Sequence, residues 1–366
     1  MRIRRALLLL TVAVALVCAP AGNADSRSAS ASAVVIAGHG FGHGIGLSQW
    51  GAEERAAAGQ STGEILSFYY PGTSLQTVGS RTVRVWLTDA PSVAVGSTAP
   101  FRVRDSSGQT LRLGAGLYRV GAAGLNGRPL PLVVLPGSAP VRLGGTGYHG
   151  TLALSQSSTG VQVVNGLDLE QYVADVVSSE NPGYWHPAAL QAQAIASRSY
   201  ALASIKPQQT FDVYPDDRSQ NYHGLAKELP RAVDAARATS GKVLTYGGQV
   251  VTALFTAANG GVTGVPQGIW SSTSPPYFVA RPDPFDARSP DTNWGPLRLP
   301  VSKLRNAFPQ LPAAITAVSL TRNAADRAVS LSFSGADGSV VQISGYAFQQ
   351  KLGLRSTWFS VAPSFG

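Results

Sequence analysis

Two parts of this sequence carry residue types whose spacing suits chemistry, and the first is a glycine-rich run. Glycine occupies every second position from Gly38 to Gly46, His39 and His43 stand between the glycines, and Ser-Gln-Trp-Gly follows. A strand interior so poor in side chains would be weak, so we expect the glycines to permit tight turns or close approach of the backbone. The run therefore predicts a surface for recognition or chemistry.

The second part is Glu180, which lies at the end of a predicted helix. An apolar stripe at helical spacing precedes it, and Asp168 suits the N-cap of that helix. Pro182 disfavours helical geometry at the residue before it, so we predict that the helix ends near Ser179. The stripe consists of Leu169, Tyr172, Val173, Val176 and Val177.

The position of Glu180 suits a general acid. A carboxyl group at a helix C-terminus faces the negative end of the helix dipole, and Tyr184 and Trp185 nearby would exclude water. Both effects favour the protonated form and predict a raised pKa. The alternative from the residues alone is an ordinary solvated glutamate in a turn.

The elements that must position these residues predict an α+β fold with a mixed helical and β core. Short β-branched runs between 81 and 164 indicate a β-rich inserted subdomain, and an alanine-rich helix is expected from Pro187 to Ser204. We divide the chain into a signal peptide (1–24), a linker and N-terminal motif of the core (25–80), the β-rich subdomain (81–164), the catalytic core (165–300) and a C-terminal β-rich completion of the core (301–366). Further predicted elements are a strand at Ala33–Ala37, helices at Gly51–Ala58 and Gly63–Tyr70, strands at Ile315–Arg322, Ala328–Phe333 and Val340–Ile343, a helix at Tyr346–Leu352 and a strand at Thr357–Val361.

The first 24 residues resemble a secretory signal, with three arginines before an apolar stretch and small residues at its end. We therefore expect a secreted or cell-wall protein without a stable membrane anchor. Removing this segment lowers the formal charge from +9 to +6, because three arginines leave and no acidic residue does. A basic chain suits the anionic polymers of a bacterial wall. Nucleic acid would attract the same charge, but the lysines and arginines are scattered and accompany no nucleic-acid motif, so we predict no nucleic-acid partner.

Cysteine usage excludes several classes of chemistry. Cys18, the one cysteine of the chain, lies in the predicted signal peptide. The exported chain is then expected to have no disulfide, no thiolate metal site and no cysteine nucleophile. The sequence also lacks the S-x-x-K, P-loop and H-E-x-x-H motifs. Carboxylate or histidine chemistry remains.

Several ordered motifs lie along the chain, and the longest of them surround Glu180. They are Asn165–Val173, Val177–Pro182, Ala189–Leu202, Ser219–Tyr222, Thr239–Leu244, Phe255–Gly261, Trp270 and Pro276–Tyr277. Together, over most of residues 38–300, they resemble the stage II sporulation protein D family, also called the amidase-enhancer family.

The resemblance implies a peptidoglycan lytic transglycosylase in which Glu180 is the single acid and base. In that reaction the glutamate protonates the glycosidic oxygen between N-acetylmuramic acid and N-acetylglucosamine. It then takes the proton of the muramic C6 hydroxyl, which closes a 1,6-anhydro ring. Because the nucleophile belongs to the substrate, the second carboxylate of ordinary glycosidases is not needed.

The resemblance also suggests residues that would line a glycan groove. They are Arg198, Tyr200, Gln220, Tyr222, Asn259, Gly260 and Gly261, with His39, His43, Ser48 and Gln49 of the glycine run as further walls. For Arg198 and Tyr200, helix packing or a buried ion pair is the alternative. Trp50, Trp185 and Trp270 are aromatic candidates, although a buried tryptophan more often belongs to a core.

Two departures from the family pattern bear on this prediction. Some members hold zinc with cysteines and histidines near Gln220 to His223, and this segment has no such set, so we predict no metal and no cofactor. The glycine run and its Ser-Gln-Trp-Gly resemble a segment that many members carry near their C-terminal end. Here it precedes the core, which suggests a circular permutation and predicts that Gly38–Gly51 packs near Glu180.

We therefore expect an exported enzyme that cleaves the glycan strands of peptidoglycan. The alternative is a wall-binding protein without catalysis that enhances an N-acetylmuramoyl-L-alanine amidase, its partner. A metal-dependent amidase is disfavoured by the missing ligand set.

Overall fold

The computed structural model describes residues 30–365 and confirms a mixed α+β fold. The predicted signal peptide at 1–24 lies outside these residues. Within residues 30–365 no helix is long and apolar enough to cross a membrane. The helices are α1 (Gln49–Ala57), α2 (Thr62–Tyr69), α3 (Leu169–Glu180), α4 (Pro187–Ala203), α5 (Pro230–Ala238), α6 (Val301–Ala307) and α7 (Gly345–Leu352). The strands are β1 (Ala33–His39), β2 (Leu47–Ser48), β3 (Ser74–Thr77), β4 (Thr82–Ala90), β5 (Ser92–Ser97), β6 (Phe101–Asp105), β7 (Thr110–Leu113), β8 (Gly116–Gly121), β9 (Leu132–Leu135), β10 (Val141–Leu143), β11 (Thr146–Tyr148), β12 (Thr151–Gln156), β13 (Val161–Asp168), β14 (Lys242–Tyr246), β15 (Gln249–Val250), β16 (Phe255–Thr256), β17 (Asn293–Pro300), β18 (Ile315–Arg322), β19 (Ala328–Gly335), β20 (Val340–Ser344) and β21 (Phe359–Ser364).

The first and last strands of the chain share one antiparallel sheet. Strand β1 lies between β17 and β21, with Val35 opposite Arg298 on one side and Ala362 on the other. The N-terminal strand β1 is thus paired with two strands that come much later in the chain. Strand β17 and helix α6 were not predicted, because the segment from 293 to 300 contains two prolines and its side chains are mostly exposed.

The region from β4 to β13 forms two antiparallel sheets around a shared apolar core. One sheet has the strand order β4-β13-β12-β9-β6-β7 and the other the order β11-β10-β5-β8. Strand β13 leads directly into α3, and β4 pairs with β13 along the whole length of β13. Because β13 is fixed on both sides, the β-rich region holds the start of the helix that ends in Glu180.

Helices α4 and α5 pack against α3. The apolar stripe of α3 is buried with residues of α4, α5, β4 and β13 in one cluster. Asp168 caps α3 by accepting a hydrogen bond from the backbone N–H of Glu170 at 2.8 Å. Helix α4 begins at Pro187 as predicted, and its alanines let it approach its neighbours closely. Helices α1 and α2 pack on its other face.

The glycine run is a turning segment that crosses three other parts of the chain. Gly40, Gly42, Gly44 and Gly46 all have positive φ angles, between 72° and 97°. At Gly46 an added Cβ would lie 1.9 Å from the carbonyl oxygen of Leu254, and at Gly44 it would lie 1.7 Å from the guanidinium of Arg327. The glycines therefore serve both turns and close contact, as the sequence predicted.

Ser61 matches a hydrolase motif by its spacing but has a structural role. Ser61 lies at the centre of Gly59-Gln60-Ser61-Thr62-Gly63, which has the Gly-x-Ser-x-Gly spacing of hydrolase nucleophiles. In the structure Ser61 caps α2, and Glu64 completes a capping box with it. The capping box formed by Ser61 and Glu64 is exposed, and it accounts for a serine at this position without a catalytic role.

Candidate active site

Glu180 is the last residue of α3 and opens on a surface cavity of about 510 Å³. One wall of the cavity is the end of α3 and the turn after it, from Ser178 to Pro182. The opposite wall is the segment from Ala226 to Leu229, which precedes α5. The Glu180 side chain is half-buried, so its carboxyl group combines a partly dehydrated environment with access from solvent.

Two donors from distant parts of the chain bind the Glu180 carboxyl group. The backbone N–H of Asn221 donates to Oε1 at 2.7 Å, and Nε2 of Gln49 donates to Oε2 at 3.2 Å. Burial raises the pKa of Glu180, and these hydrogen bonds oppose the rise only in part. The contact with Gln49 places the Ser-Gln-Trp end of the predicted segment Gly38–Gly51 at Glu180.

The aromatic residues expected to exclude water from Glu180 are arranged differently from the prediction. Tyr184 is 72% exposed and does not cover the carboxyl group. Trp185 is buried and packs against Trp50, with 5.2 Å between ring centroids. The role expected of Tyr184 is therefore wrong, and both Trp50 and Trp185 belong to the core that supports the two helices.

Gln49 is positioned by a buried carboxylate beneath α1. Ser48 caps α1 by accepting the N–H of Gly51 at 3.1 Å, and its hydroxyl donates to Asp286. Asp286 also accepts the backbone N–H groups of Asn259, Gly260 and Gly261, at 3.0, 2.6 and 3.1 Å. This carboxylate connects the start of α1 to the turn at 259–261. It therefore fixes the position of Gln49, which is the first residue of α1.

A second buried carboxylate completes this support. Asp283 pairs with Arg55 at 2.8 Å and accepts the hydroxyl of Tyr69 at 2.7 Å and Nδ2 of Asn259 at 2.8 Å. The Asn259 side chain also accepts the N–H of Gly261 at 2.8 Å. Ser48, Asn259, Gly260 and Gly261 are thus occupied within the protein, and their predicted glycan contacts are not supported by their placement.

The two histidines of the glycine run lie apart from the Glu180 cavity. His39 lines a separate cavity of about 280 Å³ with Trp294 and Trp358, and its ring is 4.7 Å from that of Trp358. His43 accepts the N–H of Ile45 at 3.0 Å and packs edge-on against Trp270, 5.4 Å away. Burial, with the charge of Arg327, lowers the pKa of His43 to about 4, so this imidazole is neutral. Their predicted place in the walls around Glu180 is wrong.

Arg198 and Tyr200 follow the alternative of helix packing. Arg198 is 0% exposed and forms a bidentate pair with Glu170 at 2.7 and 2.9 Å. Its guanidinium also donates to the carbonyl oxygens of Ala236 and Lys242, at 3.2 and 3.1 Å. Tyr200 packs against the core of α3 to α5. Arg198 cannot reach a glycan, and its assignment as a groove residue is wrong.

Gln220 and Tyr222 flank the donor Asn221 and anchor it. Gln220 is buried, and its Nε2 donates to the carbonyl oxygen of Ser197 at 3.3 Å. Tyr222 is also buried, stacks on Tyr172 at 5.5 Å and donates its hydroxyl to Asn165. Both residues therefore position the Asn221 N–H, and the expectation that they contact glycan directly is not met.

Sequence reasoning missed three parts of the site. They are the backbone N–H of Asn221, the wall from Ala226 to Leu229 and the buried pair Asp283 and Asp286. The Ser219–Tyr222 motif did point to the right loop, but to its side chains instead of its backbone. Within this one sequence, no local pattern distinguishes Asp283 and Asp286 from other acidic residues in a loop.

Comparison with known proteins agrees with the motifs around Glu180. Residues 157–246 match the family model described as stage II sporulation protein, and this segment includes Glu180 and Asn221. The chain is 32% identical over 149 residues to stage II sporulation protein D of Bacillus subtilis (strain 168), covering 36% of this chain and 43% of that protein. It is 34% identical over 119 residues to the amidase enhancer of the same strain, covering 32% of this chain and 16% of that protein.

A further relative is stage II sporulation protein D of Bacillus amyloliquefaciens, 31% identical over 144 residues that cover 35% of this chain and 42% of the relative. The chain thus spans less than half the length of each of these curated relatives. Gln49 and its support lie outside the matched family segment. Residues 157–246, which carry Glu180 and the loop that holds it, are thus similar to stage II sporulation protein D and to the amidase enhancer.

Proposed function

We propose that this chain is an exported cell-wall protein that cleaves the glycan strands of peptidoglycan as a lytic transglycosylase. The observation that carries the proposal is the Glu180 carboxyl group, half-buried at an open cavity with its pKa raised by burial. A carboxyl group whose pKa is raised by burial and that substrate can reach has two properties that suit a general acid. Its place within the matched family segment supports the same function.

The reaction needs one carboxyl group that first donates and then accepts a proton. Protonated Glu180 gives its proton to the glycosidic oxygen as the bond from this oxygen to C1 of the muramic residue breaks. The N-acetylglucosamine leaves with a free C4 hydroxyl. The C6 hydroxyl of the muramic residue then attacks C1, and its proton passes to the Glu180 carboxylate. The ring closes as a 1,6-anhydro sugar and Glu180 regains its starting state.

The surroundings of Glu180 suit both halves of this cycle. Burial favours the neutral acid before the first proton transfer. The Asn221 N–H and the Gln49 amide stabilise the carboxylate that exists between the two transfers. Because each oxygen has one fixed donor, the carboxyl group is held in one orientation toward the cavity.

The experiment that tests the proposal is digestion of purified peptidoglycan strands, with and without stem peptides, followed by mass spectrometry of the ends. A lytic transglycosylase produces 1,6-anhydromuramic ends, whereas a hydrolase produces reducing ends. The Glu180→Gln variant should lose the activity, and Glu64→Gln, which alters an exposed capping glutamate, should keep it. Reducing ends from the wild-type protein, or normal cleavage by Glu180→Gln, would contradict the mechanism.

A second candidate function is binding of wall glycan without cleavage, in support of an amidase. The relative named amidase enhancer favours this alternative. It predicts intact strands in the same digestion, together with retention of the protein on insoluble peptidoglycan. Under this alternative, adding a cell-wall amidase should release more stem peptide in the presence of the protein than in its absence, and Glu180→Gln should do the same.

A further inference from the structure

A cluster of one histidine and two carboxylates lies beside the Glu180 cavity and has no part in the proposed reaction. His149 comes from the turn between β11 and β12, Asp175 from the middle of α3, and Glu228 from the cavity wall before α5. One ligand atom from each residue lies within 4.8 Å of the other two. His149 Nε2 and Glu228 Oε2 are 3.2 Å apart. Three separate elements thus bring metal-ligating atoms to one point.

Asp175 is the unusual member of this cluster. Asp175 is 0% exposed, and neither of its carboxyl oxygens has a hydrogen-bond partner within residues 30–365. The hydroxyl of the neighbouring Tyr222 donates to Asn165 instead. A buried carboxylate without a partner is costly unless it takes up a proton or meets a cation or a hydrogen-bond donor. Here His149 and Glu228 add further ligand atoms beside Asp175, and this grouping favours a cation.

We propose that His149, Asp175 and Glu228 bind one divalent transition-metal cation of the Zn²⁺ or Mn²⁺ type. Imidazole nitrogen favours Zn²⁺ and similar ions over Mg²⁺ and Ca²⁺, while carboxylate oxygens suit Zn²⁺ and Mn²⁺ alike. Two ligand atoms on one such ion lie at most about 4.2 Å apart, so the cluster needs only a small side-chain movement to close on it. Three protein ligands leave further coordination positions for water.

Outer contacts hold two of the three ligands in place. Asn165 Nδ2 donates to the carbonyl oxygens of His149 and Thr151, both at 2.9 Å, and so fixes the turn that presents the histidine. The N–H of Leu229, next to Glu228, donates to Ser178 Oγ at 3.0 Å. Supporting contacts of this kind are typical of metal sites. A bound ion would join the wall at 226–229 to α3 and stabilise the cavity onto which Glu180 opens.

The test measures metal binding directly and does not depend on glycan cleavage. Tag-free protein is treated with EDTA, dialysed into chelator-free buffer and titrated calorimetrically with Zn²⁺, Mn²⁺ and Mg²⁺, and bound metal is counted by mass spectrometry. We expect one Zn²⁺ or Mn²⁺ per chain, binding of Mg²⁺ at least about tenfold weaker, and a higher melting temperature with the bound ion.

Variants separate this site from adventitious binding to other histidines. Asp175→Asn keeps the shape of the buried side chain, and His149→Gln changes a partly exposed one, so both should fold. Each should weaken binding at least about tenfold. His186→Gln is the matched control, because His186 forms a comparable pair with Glu53 at 2.8 Å but is not part of the three-residue cluster. Absence of binding by the wild-type protein, or wild-type affinity in both Asp175→Asn and His149→Gln, would overturn the proposal.

Discussion

Glu180 is half-buried and Asp286 is fully buried, and burial raises the pKa of both carboxyl groups, yet they differ in their surroundings. Asp286 accepts four hydrogen bonds, from the Ser48 hydroxyl and three consecutive backbone N–H groups, and joins two segments of the chain. Glu180 accepts two and opens on a cavity. The pKa of both groups is shifted in the same direction. The two groups differ instead in the number of hydrogen-bond donors and in their access to solvent.

This difference explains why a perturbed pKa is weak evidence for catalysis when taken alone. A carboxylate whose oxygens are all bound by fixed donors stabilises the fold. A carboxyl group with spare acceptor capacity beside a cavity can exchange a proton with a ligand. In this protein Asp286 holds the start of α1, and Gln49 of α1 in turn donates to Glu180.

The largest expected effect is on Glu180. Glu180→Gln should lower the rate of glycan cleavage at least about 100-fold, because the amide cannot deliver a proton. The free energy of unfolding at pH 7 should not fall. The raised pKa means that any contribution of Glu180 to stability is present at low pH and is lost as the pH rises through the folded pKa. Parallel cleavage assays and urea unfolding measure the two effects.

The opposite result is expected for Asp286. Asp286→Asn places an amide NH₂ group among donors, so the free energy of unfolding should fall by about 3 kcal/mol. Asp217→Asn, at an exposed position, is the control and should leave it unchanged. If Asp286→Asn abolished cleavage while stability stayed normal, the assignment of Asp286 to the fold would fail.

Glycines of the turning segment should be intolerant of side chains where the chain is crowded. Gly46→Ala would combine a φ angle of 73° with a Cβ 1.9 Å from the Leu254 carbonyl oxygen. We expect a loss of about 3 kcal/mol in the free energy of unfolding. Gly59→Ala has a similar φ angle of 87° but no atom within 4 Å, and should lose about 1 kcal/mol. Equal losses in the two variants would mean that φ alone sets the requirement.

The smallest expected effect concerns the Gln49 donor. Gln49→Met removes a hydrogen bond that favours the Glu180 carboxylate, so the pKa of Glu180 should rise further. Because cleavage begins from the protonated acid, activity is lost as the pH rises through this pKa, and the variant should move that alkaline limb to higher pH. A pH profile of kcat/KM measures the shift. An unchanged limb, or one moved to lower pH, would contradict the proposed role of Gln49.

Local patterns in the sequence were enough for much of the fold. The stripe from Leu169 to Val177 predicted α3, and proline at 187 predicted the start of α4, because helical spacing and proline geometry are local properties. Strand β18 was predicted with its observed bounds. Strand β17 was not predicted. It is defined by its pairing with β1, and its own sequence shows no apolar alternation.

The candidate site was predictable only where a motif carried it. Glu180 was indicated by its place at the end of a predicted helix and by the resemblance, the loop of Asn221 by the resemblance alone, and the neighbourhood of Gln49 by the order of the same motifs. The partners of Arg198, Asp283 and Asp286 could not be predicted, because each lies in another element far along the chain. Whether an arginine faces a groove or a buried glutamate depends on packing, which one sequence does not reveal.

The central position of β1 between β17 and β21 has a consequence for how this protein matures. Strand β1 is synthesised long before both of its partners, so it stays unpaired until β17 and then β21 have been made. Gln49, which donates to Glu180, follows β1 along the chain. Before β17 and β21 are made, the strand that precedes Gln49 has no sheet to hold it, so under the proposed function we expect activity only after β21 has docked.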